Sequence, residues 1–209
     1  MYKLSRRISA AVGAAFLGAA GATAAVAVTG AGADAALTQT SFQMVRSAAA
    51  AGAGCLNGAH AQVTVQSQGP VEVMKVSAAS LPRNTDFDFF VIQVPNTPFG
   101  ISWYQGDLES DGQGNAQGTF VGRFSIETFA VAPNVAPAPV VFPTDASKNP
   151  AFNPVQMYHL GLWFNSPRDA AAAHCPGTVT PFNGEHNAGV QALSTRNFAD
   201  QNGPLRQIH

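Results

Sequence analysis

Short runs of apolar residues, separated by turn-forming residues, occupy the middle of the chain. Within residues 119–131, apolar and charged side chains fall on opposite parities. Phe120 and Phe124 belong to the apolar set, and Arg123 and Glu127 to the polar set. Because a two-residue period places such sets on opposite faces of a strand, this pattern predicts a β-strand with one packed and one solvated face. Arg123 and Glu127 are predicted to form a surface ion pair there.

Two other runs have apolar residues on both parities. Residues 87–94 are predicted to form a strand that is covered on both sides and lies at the centre of a sheet. In residues 71–76 the apolar set changes parity between Val73 and Met74. A β-bulge and a strand buried on both faces would each produce this change, and the sequence leaves the two alternatives open.

The second half of the chain contains further strand and helix signals. Residues 157–164 alternate again and predict a strand. Ser166 is followed by Pro167 and, three residues after the serine, by Asp169, which predicts the start of a short helix. Residues 188–193 predict a last short strand. The polar tail over 196–209 is predicted to be loose at its end.

Two segments are predicted to connect strands tightly. Residues 81–85 predict a turn, because Pro82 fixes φ and Asn84 tolerates turn geometry. Asp111-Gly112 and Gly114-Asn115 predict a hairpin loop, because these residue types accept positive φ.

Two longer segments carry no lasting period. Residues 132–154 contain six prolines and predict an extended surface connection with an edge segment at 140–142. Residues 35–57 are open to two interpretations, which are a short helix from Gln39 and a flexible lead.

Composition agrees with a β-rich fold. Charged residues make up 11% of the chain, which contains 20 glycines and 14 prolines. Few charges, many short strands and frequent turn formers are typical of extracellular all-β modules. We predict an all-β fold, a single antiparallel β-sandwich of roughly seven to nine strands with Ig-like or jelly-roll connectivity. One short helix and one disulfide complete this prediction.

The N-terminus has the order of a secretory signal peptide. Lys3, Arg6 and Arg7 precede an apolar run and then small residues. Cleavage after Ala33 or Ala35 would leave a lead segment at 34–57 and a β-sandwich domain at 58–209. A membrane anchor is the competing interpretation of residues 1–33, but alanine and glycine dominate the run. Secretory and twin-arginine export both remain open.

The mature chain is mildly acidic. Cleavage after Ala33 removes three of the 11 basic residues and none of the 12 acidic ones, which leaves 8 − 12, a net charge of −4. This charge gives no basic face for nucleic acid, and we expect no membrane span after cleavage.

The two cysteines, Cys55 and Cys175, both lie in the mature part. An even number of cysteines in an exported chain predicts a disulfide. A reactive thiol or a metal ligand is the functional alternative.

Oxygen-bearing residues alternate in residues 107–115, as they do in calcium-binding loops. The candidate ligands are Asp107, Glu109, Asp111 and Asn115. The twelfth position of such a loop is Gly118, where a bidentate glutamate is needed. We therefore predict a hairpin loop and no cofactor, with calcium as the alternative.

The other polar candidates form no recognised metal or catalytic motif. Glu185 and His186 combine an acid and a base in a glycine-bearing loop, and loops often carry function. With His159, they are the residues that a metal site or a hydrolase would use.

Aromatic pairs at Trp103-Tyr104 and Trp163-Phe164 supply flat apolar faces. Such faces stack on sugar rings or on a partner's side chains. Burial in the core is the competing interpretation for each pair.

Several motifs resemble a family of secreted, uncharacterised actinobacterial β-sandwich proteins. The likeness covers most of the mature chain and rests on the following segments: LPRNTDFD, PFGISWYQGD, FVGRFSIETF, GLWFNSP and TPFNGEH. The resemblance implies a secreted location, and it offers no established activity or catalytic residues.

These signals favour a secreted, non-catalytic module that binds an extracellular protein, a cell-envelope partner or a glycan. The candidate ligand-binding residues are Trp103, Tyr104, Trp163, Glu185 and His186. The alternative is a secreted metal-binding protein or hydrolase that uses His159, Glu185 and His186.

Overall fold

The computed structural model describes residues 38–125, 127–131 and 154–208. The predicted signal peptide at 1–33 lies outside these described residues. So do positions 132–153 of the predicted proline-rich connection, including its edge segment at 140–142. None of the described helices is long and apolar enough to cross a membrane.

The described residues form an all-β protein in which the paired strands run antiparallel. Its strands are β1 Gln39–Arg46, β2 His60–Gln68, β3 Val71–Ala79, β4 Asp86–Ile92, β5 Ser102–Glu109, β6 Ala116–Gly122, β7 Phe129–Val131, β8 Pro154–Gln156, β9 His159–Phe164 and β10 Gln191–Ser194. Its helices are α1 Ala48–Gly52, α2 Pro167–Ala172 and the 3-10 helix Pro204–Gln207. The predicted sandwich-like class is confirmed, with a second short α-helix beyond the one expected.

Eight strands of the described chain form one sheet in the order β5-β4-β9-β10-β1-β2-β3-β6, and β7 pairs with β8 separately. Strand β1 joins the two halves of the large sheet. Residues 39–44 of β1 pair with β2, and Val45 and Arg46 pair with β10. The two end strands, β5 and β6, lie near each other, so the sheet is nearly closed around the main core.

Strand β1 lies in a segment for which the sequence predicted a short helix or a flexible lead. In the structure Phe42 and Met44 are buried and Gln43 is exposed, which is the alternation of a strand. Helix is confined to α1, where the Ser47 side chain accepts a hydrogen bond from the Ala50 amide. The two-residue period therefore outweighed the helix propensity of the neighbouring alanines.

Strand β3 answers the question left open at residues 71–76. Its pairing with β2 and β6 is regular, and Val73 is partly exposed while Met74 is buried. The strand therefore has neither a β-bulge nor two buried faces. It buries one face, and the first side chain on that face is Glu72, which is fully buried. The Glu72 carboxylate accepts a hydrogen bond of 2.6 Å from the Phe124 amide and lies 3.4 Å from the Arg123 guanidinium.

The strand predicted over 119–131 is shorter in the structure. Strand β6 ends at Gly122, and a turn follows in which the Thr128 amide donates to the Ser125 carbonyl. The Arg123–Glu127 ion pair is confirmed, but it spans this turn and not the exposed face of a strand. The buried carboxylate of Glu72 holds the start of the turn, which explains why the strand stops there.

Other local predictions are confirmed by the backbone. Strand β4 is buried on both faces after its first residue, and Asn84 in the predicted turn has a φ of 49°. The Ser166 side chain caps the N-terminus of α2 by accepting a hydrogen bond from the Asp169 amide.

The C-terminal tail departs from the prediction of a loose end. The 3-10 helix packs onto the main core, where Leu205 and Ile208 are fully buried. These two apolar residues lie three apart, so one helical turn presents both to the core.

The predicted disulfide between Cys55 and Cys175 is present. Each cysteine follows a short alanine-rich helix, and its amide donates to a buried alanine of that helix, Ala50 or Ala170. The bond therefore ties the ends of α1 and α2 together across 120 residues of chain.

Replacing both cysteines (Cys55→Ser with Cys175→Ser) is expected to lower the free energy of unfolding by about 2–5 kcal/mol, because the unfolded chain regains the freedom that the closed loop removes. Urea denaturation of the oxidised protein and the double variant would measure the loss. Equal midpoints and slopes for the two proteins would contradict this expectation.

Candidate functional site

A groove of about 320 Å³ lies beside the edge strands β5 and β6. The groove is lined by residues of β5, of β6, of the turn after β6 and of β7, and by one residue between β8 and β9. These residues are Trp103, Gln105, Val121, Gly122, Arg123, Phe124, Glu127, Thr128, Phe129 and Met157. The groove thus lies where the large sheet is not closed, and we call it the seam groove.

Large apolar side chains are exposed in the seam groove. Trp103 is 61% exposed, Val121 66% and Phe129 52%. Trp103 lies opposite the buried Val91 on the neighbouring strand, so its parity is that of a core residue. It is exposed because β5 is an edge strand, and edge strands leave one flank of the sheet uncovered.

Fixed polar groups adjoin these apolar surfaces. The Arg123 guanidinium contacts the carboxylates of Glu72 and Glu127, and the hydrogen bond to Glu127 raises the pKa of Arg123. The Thr128 hydroxyl donates to the Arg123 carbonyl. The groove therefore combines flat apolar faces with a charged pair whose position is set from the buried side by Glu72.

A second aromatic cluster covers the other face of β4 and β9. Phe90, Phe99, Trp163 and Phe182 pack edge to face or tilted, with ring centroids 4.9–5.7 Å apart. Gly161 makes room for Trp163, since a Cβ atom at Gly161 would lie 2.2 Å from the indole ring. We call this the outer aromatic cluster, because it lies on the sheet face opposite the main core.

Asp88 lies at the edge of the outer aromatic cluster, directly opposite Asp107 on β5 and Trp163 on β9. Its side chain is only 3% exposed, and its Oδ2 atom has no hydrogen-bond partner among the described residues. Burial, followed by the charge of Asp107, raises the pKa of Asp88 to about 6, and a hydrogen bond with the Asn183 side chain opposes this shift.

Asp107, by contrast, is exposed and has a partner. The Tyr104 hydroxyl donates to Asp107 Oδ1 at 2.6 Å. Burial and this hydrogen bond raise the pKa of Tyr104 to about 12, so the phenol stays protonated and continues to donate. Two residues before Asp88 on the same strand, Asp86 lies opposite Glu109.

The sequence-predicted ligand-binding residues do not converge. Trp103 and Tyr104 are exposed on β5, whereas Trp163 is fully buried. Glu185 and His186 are exposed in the loop before β10, where the Asn187 amide group donates to Glu185.

His159 is fully buried, and both of its ring nitrogens lie within hydrogen-bond distance of a partner. Nδ1 lies 2.9 Å from the Thr195 hydroxyl and Nε2 lies 3.1 Å from the Asp200 carbonyl. Burial lowers the pKa of His159. Within the part of the chain that the structure describes, no three His, Cys, Asp or Glu side chains are grouped so as to hold a metal ion.

The predicted acidic loop is the β5–β6 hairpin. Asp111 Oδ1 accepts hydrogen bonds from the amides of Asn115 and Gln113, and these bonds, that to Asn115 foremost, lower the pKa of Asp111. Gly114 has a φ of 83°, as the hairpin prediction requires. The carboxylate of Asp111 therefore serves the turn itself.

Sequence reasoning missed both the Arg123 side of the groove and the Asp88–Asp107 pair. A single aspartate inside the apolar run 87–94 was a signal for Asp88, since a strand covered on both sides has no solvated position. Its partner depends on the register between β4 and β5, which the sequence does not reveal.

A scan against protein-family models finds no matching family, and a search of curated proteins finds no matching protein.

Replacing Asp88 by asparagine is expected to stabilise the protein at neutral and higher pH. The folded pKa of about 6 exceeds the ordinary value of 3.8. The stability that the neutral carboxyl contributes is therefore complete below pH 3.8 and is lost as the pH rises through 6. Asp88→Asn should raise the free energy of unfolding by roughly 1–2 kcal/mol at pH 8 and by little at pH 4.

Urea denaturation at the two pH values, in buffer with a chelator so that no cation offsets the charge, would measure this difference. The matched control is Asp86→Asn, which removes an exposed neighbouring carboxylate and should change little. An equal effect of Asp88→Asn at pH 4 and pH 8 would contradict the expectation.

Proposed function

We propose that this chain is a secreted, non-catalytic β-sandwich module that binds a glycan of the extracellular space or cell envelope in the seam groove. The observation that carries the proposal is the exposure of Trp103, Val121 and Phe129 in one groove beside a fixed ion pair. Exposed apolar side chains that are grouped in this way mark interaction sites on protein surfaces.

The size of the groove favours a small ligand unit. At about 320 Å³ it lies at the lower end of the range for ligand pockets, roughly 300–1,000 Å³. A stable protein interface buries about 800 Å² on each partner and would extend well beyond these residues. A few sugar rings of a longer chain match the groove better.

The chemistry of the lining also fits a sugar. The C–H face of a pyranose ring is apolar and flat, and it stacks on an indole such as Trp103. Hydroxyl groups at the ring edge need donors and acceptors, which Gln105, Arg123 and Glu127 supply. Because Glu72 and Glu127 hold Arg123 in place, little side-chain freedom is lost on binding.

A secreted location is supported by the N-terminal sequence, by the disulfide and by a family resemblance. The N-terminal residues have the order of a signal peptide, and the Cys55–Cys175 bond is of the kind that persists in oxidising compartments. The resemblance to secreted actinobacterial β-sandwich proteins points the same way.

The geometry gives no support to a hydrolase or metal enzyme built on His159, Glu185 and His186. His159 is buried with both ring nitrogens engaged, whereas Glu185 and His186 are exposed in a loop. A general base must reach substrate, and His159 lacks that access.

Trp103→Ala is expected to weaken glycan binding at least tenfold, because it removes the stacking surface. An array of neutral and acidic oligosaccharides would identify a ligand, and calorimetric titration of that oligosaccharide would give the affinity. Stacking on Trp103 should also change the tryptophan emission of the wild-type protein, since Trp103 is the exposed one of its two tryptophans.

The matched control is Val179→Ala, which truncates an exposed apolar side chain outside the groove and should leave affinity unchanged. Absence of any glycan ligand, or equal affinity of Trp103→Ala and the wild type, would overturn the proposal. Capture of a protein by the wild type but not by Trp103→Ala would assign the groove to a protein partner instead.

A further inference from the structure

Strands β4 and β5 place carboxylates opposite each other in two successive rows. Asp88 lies opposite Asp107, and Asp86 lies opposite Glu109. These positions alternate along each strand, so the four side chains share the outer face of the sheet. Glu185 adds its charge from the covering loop.

Like charges directly opposite on neighbouring strands destabilise a sheet. Among the described residues, the ion pairs of lysine and arginine are those of Arg123 with Glu72 and Glu127, so the outer-face carboxylates have no basic side chain as a partner. A cation from solution would relieve this repulsion.

Asp88 gives an independent indication of where such a cation binds. Asp88 is only 3% exposed, and its Oδ2 atom has no hydrogen-bond partner among the described residues. Buried polar atoms are almost always partnered, and the exceptions call for an ion, a water molecule or a functional role. The charge nearest across the strands is that of Asp107.

We propose that Asp88 and Asp107 bind a calcium ion on the outer face of β4 and β5. Calcium takes six to eight oxygen ligands, which include amide carbonyls and water as well as carboxylates. The Asn183 side chain hydrogen-bonds to Asp88 and donates to the side-chain oxygens of Asn165 and Asn187. An amide side chain therefore adjoins the two carboxylates, and water molecules would supply the remaining oxygens. Zinc is a poor match, because it favours histidine and cysteine ligands.

This site differs from the calcium loop that the sequence pattern offered. The carboxylate of Asp111 accepts two backbone hydrogen bonds within the hairpin. Asp107 instead belongs to β5 and faces Asp88, which comes from a strand outside that loop. The ligands are therefore brought together by strand register and not by loop spacing.

The site is separate from the seam groove, since neither Asp88 nor Asp107 lines the groove. Failure of glycan binding would leave the calcium proposal unaffected.

Chelator-treated mature protein at pH 7.5 would be titrated with calcium chloride, with heat release and thermal unfolding as readouts. The wild-type melting temperature should rise with calcium. Asp88→Asn should melt higher than the wild type without calcium and should lose the calcium response, because the substitution and the ion relieve the same charge. Asp107→Asn should weaken calcium binding at least tenfold.

Asp111→Asn is the matched control, since asparagine keeps the oxygen that accepts the two hairpin hydrogen bonds, and it should respond like the wild type. Terbium provides a second readout, because Trp163 lies opposite Asp88 and can sensitise the emission of a bound lanthanide. A wild-type protein without heat or melting response to calcium, or Asp88→Asn responding as the wild type does, would overturn the proposal. Loss of the response in Asp111→Asn alone would assign the ion to the hairpin.

Discussion

The burial of strand β4 on both faces is the constraint on which the other features of the molecule depend. Its inner face contributes Phe87 and Phe89 to the main core, and its outer face contributes Phe90 to the outer aromatic cluster. A strand covered in this way has no solvated position. The one acidic residue within the covered part, Asp88, is therefore held in an apolar environment by its neighbours on both sides.

The two sites proposed above arise from the two flanks of β5. One flank of this strand pairs with β4, which sets Asp107 opposite Asp88. The other flank is the open edge of the sheet, where Trp103 stays exposed beside the turn that follows β6. The buried Glu72 stabilises that turn, because its carboxylate accepts a hydrogen bond from the Phe124 amide and forms an ion pair with Arg123. A buried acid thus fixes the shape of an exposed groove.

Much of the fold could be predicted from the sequence, because parity, capping and cysteine count are local signals. The two-face burial of β4, the Ser166 cap and the Cys55–Cys175 bond all follow from such signals. The nature of β1 was also encoded in the alternation around Phe42, but the neighbouring alanines obscured it. Glu72 shows the limit of parity, since a carboxylate can occupy a core position when its hydrogen-bond donor, the Phe124 amide, lies 52 positions away in the sequence.

The candidate sites were less predictable, because they depend on which residues are neighbours across strands. Trp103 and Trp163 stand in similar aromatic contexts in the sequence, yet one is 61% exposed and the other is fully buried. The difference is that β5 is an edge strand and β9 is flanked by β4 and β10. Likewise, the partner of Asp88 is set by a register that includes an irregularity between Phe89 and Phe90.

The disulfide also gives the chain the topology of a covalent ring with two tails. The ring runs from Cys55 to Cys175 and contains β2 to β9 and α2, whereas β1 and β10 belong to the tails and pair with each other. A single peptide-bond cleavage within the ring, including one at the proline-rich segment, cannot separate the protein into two molecules. The nicked chain would keep its mass, apart from one added water, until the disulfide is reduced.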